Sequence, residues 1–132
     1  MKLKLSFAGI LLLLSSFTFP VQAQPVSEPS EQVTVFAPYA VRKGMGGSVR
    51  SPIMMITISR KVSYHDLDLR SEADIATLKG RVTRAARDLC RELDRRYSPA
   101  IYVPLFSTKR CQGEAAQNGL WVVDALVALA RN

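Results

Sequence analysis

Residues 54–93 read MMITISRKVSYHDLDLRSEADIATLKGRVTRAARDLCREL. The period of the apolar side chains changes inside this stretch, and that change decides the fold. From Met54 to Tyr64 the period is two. Met54, Ile56, Ile58, Val62 and Tyr64 fall on one side, with Met55, Thr57, Ser59, Lys61 and Ser63 on the other, as in a half-buried strand. Arg60 is the misfit on the apolar side, and a bulge near Arg60-Lys61 would re-aim it. Beyond Ser71 the period becomes helical. Ile75, Leu78, Val82, Ala85, Ala86, Leu89 and Leu93 form one stripe, and Cys90 lies beside it. Ser71 stands as the N-cap with Asp74 at capping-box spacing, and Pro99 sets the helix end near Asp94 to Tyr97.

Upstream, Val33-Thr34-Val35-Phe36 is a short β-prone run. The segment RKGMGGSVRSP, residues 42–52, carries three glycines and three bases without an acid, and reads as a mobile cationic loop joining two antiparallel strands. Downstream, residues 98–104 read as a loop with two prolines. A second helix is expected from Ser107 or Thr108, with Cys111, Ala115, Leu120, Val122, Val123, Leu126, Val127 and Ala130 as its apolar positions. Gly113 and Gly119 lower helix propensity in its first half, and Gly119 either permits close packing or marks a break. The expected fold class is α+β: a short antiparallel β-hairpin packed on a two-helix hairpin.

The chain has 132 residues and a formal net charge of +7. Lys2 and Lys4 precede an apolar run from Leu5 to Phe19, Pro20 breaks it, and Val21-Gln22-Ala23 puts small residues at a cleavage site. Residues 1–23 therefore read as a cleaved signal peptide, with export to the periplasm or the medium. Residues 24–32, with Pro25, Pro29, Glu28 and Glu31, read as a disordered lead-in, and residues 33–132 as one domain. Without Lys2 and Lys4, 16 bases face 11 acids, a net of +5. A domain of this size leaves no room for a Rossmann sheet or a TIM barrel. No later run spans a bilayer: Leu120 to Ala130 is apolar but short, and Asp124 interrupts it. Two cysteines in a small exported protein read as one disulfide, Cys90–Cys111; the spacing is not the Cys-x-x-Cys of a redox pair.

The strand end Val62-Ser63-Tyr64-His65-Asp66-Leu67-Asp68-Leu69, the helix segment Arg81-Val82-Thr83-Arg84-Ala85-Ala86-Arg87-Asp88-Leu89-Cys90, and a second cysteine in Lys109-Arg110-Cys111 together resemble the UrcA family of small exported proteins of Gram-negative bacteria. The similarity covers about residues 54–130. The resemblance implies an exported compartment, a scaffold and a disulfide role for Cys90 and Cys111. It implies no chemistry, because the family has no established activity. The Gly-rich basic loop, Gly113 and Gly119 depart from the family pattern.

Four sets of residues are candidates for function. Arg84, Arg87, Arg91 and Arg95 recur at helical spacing as a basic stripe, which reads either as a solvated face or as an anion-binding face joined by Arg42, Lys43 and Arg50. In an exported protein the accessible anions are envelope components or acidic periplasmic proteins. The compartment and the lack of an aromatic-interleaved platform argue against nucleic acid. Trp121 stands in a wide apolar set, read either as buried between helix one and the sheet or as an exposed surface for a partner or a second copy. Asp66, Asp68, Glu72 and Asp74 surround the strand-to-helix corner, read as caps and dipole partners before a cation site, since the segment lacks glycine and contains Arg70. His65 is the one histidine; it can pair with Asp66 or Asp68, but no nucleophile elbow accompanies it. No cofactor and no catalytic constellation are expected.

Overall fold

The computed structural model describes residues 31–44 and 51–132. The expected signal peptide (residues 1–23), residues 24–30 of the expected lead-in, most of the Gly-rich loop and Arg50 lie outside the described residues. The elements run β1 (Gln32–Lys43), β2 (Ile53–Ser63), α1 (Glu72–Arg96), β3 (Tyr102–Pro104) and α2 (Thr108–Arg131). The fold is α+β as expected, with a three-stranded antiparallel sheet in the order β2-β1-β3 and both helices on one face.

The sheet departs from the two-stranded hairpin in three ways. First, β1 is 12 residues long and central; Arg42 and Lys43 close it rather than opening a loop. Val33, Val35, Ala37, Tyr39 and Val41 alternate along it, each at most 1% exposed, and form the inner face of the sheet. Burial of each of those valines contributes about 1.5 to 3 kcal/mol. Second, Tyr102–Pro104 pairs with Val41–Lys43 instead of remaining a loop. Third, β1 and β2 pair in unbroken register from Gln32↔Ser63 to Arg42↔Ile53, so no bulge re-aims Arg60. Arg60 stays on the inner face and reaches over the flank of α1 instead, 3.6 Å from Asp88 and 3.6 Å from Glu92. The β2 face expected to carry the core is only half covered: Ile56 and Ile58 pack against it, while Met54 is exposed.

Pro38 sits in the central strand without breaking it. Tyr64 N–H donates to Glu31 O, so the continuous register turns the amides of odd β1 residues and even β2 residues toward each other. Pro38 is an even residue, and its missing amide faces the other side, where β3 pairs only with residues 41–43.

Helix α1 buries the whole predicted stripe, Ile75 through Leu93, and Ser71 caps it through Asp74 N–H. Helix α2 is continuous and is capped by Ser107. It packs through Cys111, Ala115, Gly119, Val123 and Val127, a four-residue spacing that leaves Trp121 outside. Gly119 is a close approach rather than a break: a Cβ there would lie 2.6 Å from Val82 Cγ1. The two helices run antiparallel. Cys90–Cys111 joins them with the Cα atoms 6.0 Å apart, Lys79 Nζ meets Asp124 at 2.7 Å, and Arg131 pairs with Glu72 at the far end. Among the described residues no helix is long and apolar enough to cross a membrane.

Candidate functional site

Helix α1 carries five acids and seven bases, and the fold treats them differently. Asp88 and Glu92 face Arg60 of β2, and Glu92 also accepts from Arg96 at 2.7 Å. Arg84 and Asp88 stand at i,i+4 on the helix but form no pair. Asp94 accepts from Tyr39 Oη at 2.8 Å and from Thr108 Oγ1 at 2.7 Å, tying β1, α1 and α2 together at one carboxylate. Glu72 pairs with Arg131, and Asp74 Oδ2 accepts from Asp68 N–H at 3.0 Å. The acids of α1 are thus engaged by other parts of the fold. Arg84, Arg87, Arg91 and Arg95 are all exposed, and among the described residues none has an acid within ion-pair distance. They stand on the side of α1 opposite its buried stripe, as a row of uncompensated guanidinium groups on a rigid helix.

Of the other bases expected in this row, Arg42 and Lys43 do not join it, and Arg50 lies outside the described residues. Arg42 alternates with the buried Val41 and stands on the sheet face away from the helices, and Lys43 is exposed at the end of β1. A shallow depression of about 350 Å³ between β2 and α1 adjoins the row at Arg84; it also brings together Lys61 and the acid-paired Arg60 and Arg81, with Asp88 in its lining. In the sequence Arg60 is the misfit of the strand. Its partners lie 28 and 32 residues downstream, a pairing that local periodicity cannot reveal.

The acidic corner is consumed by structure. Arg81 grips Asp66 with both terminal nitrogens, Nη1 at 2.7 Å and Nη2 at 2.5 Å, and also donates to Ser63 O. That grip holds the Asp66 carboxyl at about 2, below its ordinary value. Asp68 accepts from Arg70 N–H at 2.9 Å. The imidazole of His65 lies 2.7 Å from Ser63 Oγ through Nδ1, not against Asp66 or Asp68, and is exposed.

Trp121 is 74% exposed and so is not buried between α1 and the sheet, although α2 packs on both, with Gly119 against Val82 of α1 and Val35 of β1. It borders a shallow open depression of about 530 Å³ with Gly113, Ala116, Gln117, Leu120 and Asp124. Tyr39 is the residue that sequence reading missed. It is 1% exposed, and burial followed by its bond to Asp94 pushes its hydroxyl up to about 12. The signal was present: the odd-numbered apolar pattern of Val33 and Val35 continues through Ala37, Tyr39 and Val41.

Comparison with protein-family models, curated proteins and solved structures finds no match for this chain.

Proposed function

We propose that this protein is a UrcA-type, non-enzymatic module, exported to the periplasm or the medium, that docks on anionic components of the cell envelope through the outer face of α1. The observation that carries the reading is the row Arg84, Arg87, Arg91 and Arg95, exposed and without acidic partners while the acids of the same helix are occupied elsewhere. A solvated helix face commonly interleaves its charges; this one segregates them. The Cys90–Cys111 bridge, at home in an oxidising compartment, supports export.

The test is co-sedimentation of the oxidised protein with phosphatidylglycerol vesicles against neutral phosphatidylcholine vesicles, across a salt series. Binding is expected on the anionic vesicles alone, and lost by about 0.3 M salt, where screening acts over roughly 6 Å. Each arginine near an anionic surface is worth about 1 kcal/mol. Reversing Arg84, Arg87 and Arg91 to Glu should therefore weaken binding more than about a hundredfold. Salt-insensitive binding, or equal binding to both vesicle types, overturns the proposal.

A second reading rests on the exposure of Trp121. It is a protein–protein surface on α2, for a periplasmic partner or a second copy. Trp121→Ala would then abolish the complex and leave an oxidised, folded chain.

A further inference from the structure

Strand β2 is the last strand on its side of the sheet. Its even residues turn their backbone groups to β1, so Ile53, Met55, Thr57, Ser59 and Lys61 turn theirs outward. At Ser63 the outward carbonyl is already taken by Arg81 Nη1 at 3.1 Å. Among the described residues, nothing pairs with the outward groups from Ile53 to Lys61. Natural edge strands are short, charged, bulged or interrupted by proline. This one is 11 residues long and unbulged, and Ile53-Met54-Met55-Ile56-Thr57-Ile58-Ser59 holds no charge, glycine or proline. Ile53, Met54 and Met55 are 50%, 40% and 69% exposed.

We infer that the free edge of β2 is an interface for a second copy of this chain, pairing antiparallel about a two-fold axis at Ile56 to give one continuous six-stranded sheet. The charge pattern selects the occupant and the register. Centred on Ile56, the uncharged segment 53–59 lies against itself, Arg60 lies opposite the partner's Pro52, and Lys61 lies opposite the partner's Ser51. No charge therefore faces a like charge across the ladder. Met55 exchanges backbone bonds with the partner's Thr57, and Met54 gains the partner's Ile58 as its neighbour on the helix side. Residues of equal parity meet, so the helices of both copies lie on the same side of the joined sheet. This edge includes neither the arginine row nor Trp121.

The test is sedimentation equilibrium of the oxidised protein over a concentration series. A dimer is expected. Thr57→Pro removes only outward amides, one in each copy, and leaves the β1–β2 ladder intact; two lost hydrogen bonds weaken the dimer by about thirtyfold. Ile56→Cys provides an independent readout. It places two cysteines at a non-hydrogen-bonded pair with Cα atoms about 4.5 Å apart, within disulfide reach. Mild oxidation should therefore cross-link Ile56→Cys but not Ser59→Cys, which meets the partner's Ile53. A chain that stays monomeric, a dimer that survives Thr57→Pro, or cross-linking at Ser59→Cys instead of Ile56→Cys overturns the inference.

Discussion

Two glycines of the same helix should respond to alanine with opposite signs. At Gly119 an added Cβ would lie 2.6 Å from Val82 Cγ1 and 3.3 Å from Val35 Cγ2, against ordinary carbon contacts of about 3.5 to 4.0 Å. Neither neighbour can give way easily. Both valines are fully buried; Val82, β-branched in a helix, keeps essentially one rotamer, and Val35 is restricted at χ1 in its strand. Overpacking of this kind costs about 1 to 3 kcal/mol, and the gain in helix propensity returns about 1 kcal/mol. Gly119→Ala is therefore expected to destabilise by about 1 kcal/mol. At Gly113 nothing lies within 4 Å of an added Cβ, so Gly113→Ala keeps its propensity gain of about 1 kcal/mol. The two variants should differ by about 2 kcal/mol, or roughly 8 to 16 °C in Tm for a domain of this size. Thermal unfolding followed by circular dichroism, on oxidised protein, measures both. A Gly119→Ala variant that melts with or above Gly113→Ala would show that α2 does not cross α1 and β1 this closely.

Stability should also fall in alkali. The Tyr39 hydroxyl is raised from 10.0 to about 12 by burial and by Asp94, so the folded state favours its protonated form. That contribution is fully present below pH 10 and is lost as pH rises toward 12. Tyr39→Phe should flatten this part of the pH–stability profile, measured by urea unfolding; an unchanged alkaline slope would remove Tyr39 as its source. Reduction of Cys90–Cys111, separated by 21 residues, should cost about 3 kcal/mol in the chain-entropy description, read as a drop in urea midpoint on adding reductant.

Much of the fold is legible in the sequence because the helices carry their own periodicity and caps. The stripe from Ile75 to Leu93 and the caps Ser71 and Ser107 are local signals, and the fold keeps them. The sheet is less legible because its centre looks weak. Ala37, Pro38 and Ala40 dilute the β-propensity of β1, although the buried alternation continues to Val41. Strand β3 is three residues long and ends in proline, and it is held by pairing across about 60 residues of chain. The arginine row is visible as a pattern in the sequence. Its lack of compensation depends on Arg60, Tyr39, Thr108 and Arg131, which engage the acids of α1 from distant parts of the chain.

The prolines bear on how many neighbours the sheet can accept. Leu105 N–H donates to Ala40 O and Gly44 N–H to Ile101 O, so the outward groups of β3 belong to Tyr102 and Pro104, and Pro104 has no amide to offer. Pro38 removes another donor from the stretch of β1 that β3 leaves uncovered. The edge on the β3 side is therefore the blunter of the two: Thr34 and Phe36 keep their outward amides, but Pro38 and Pro104 interrupt the row of donors. Association through β2 meets no such interruption, which favours a closed pair over head-to-tail growth.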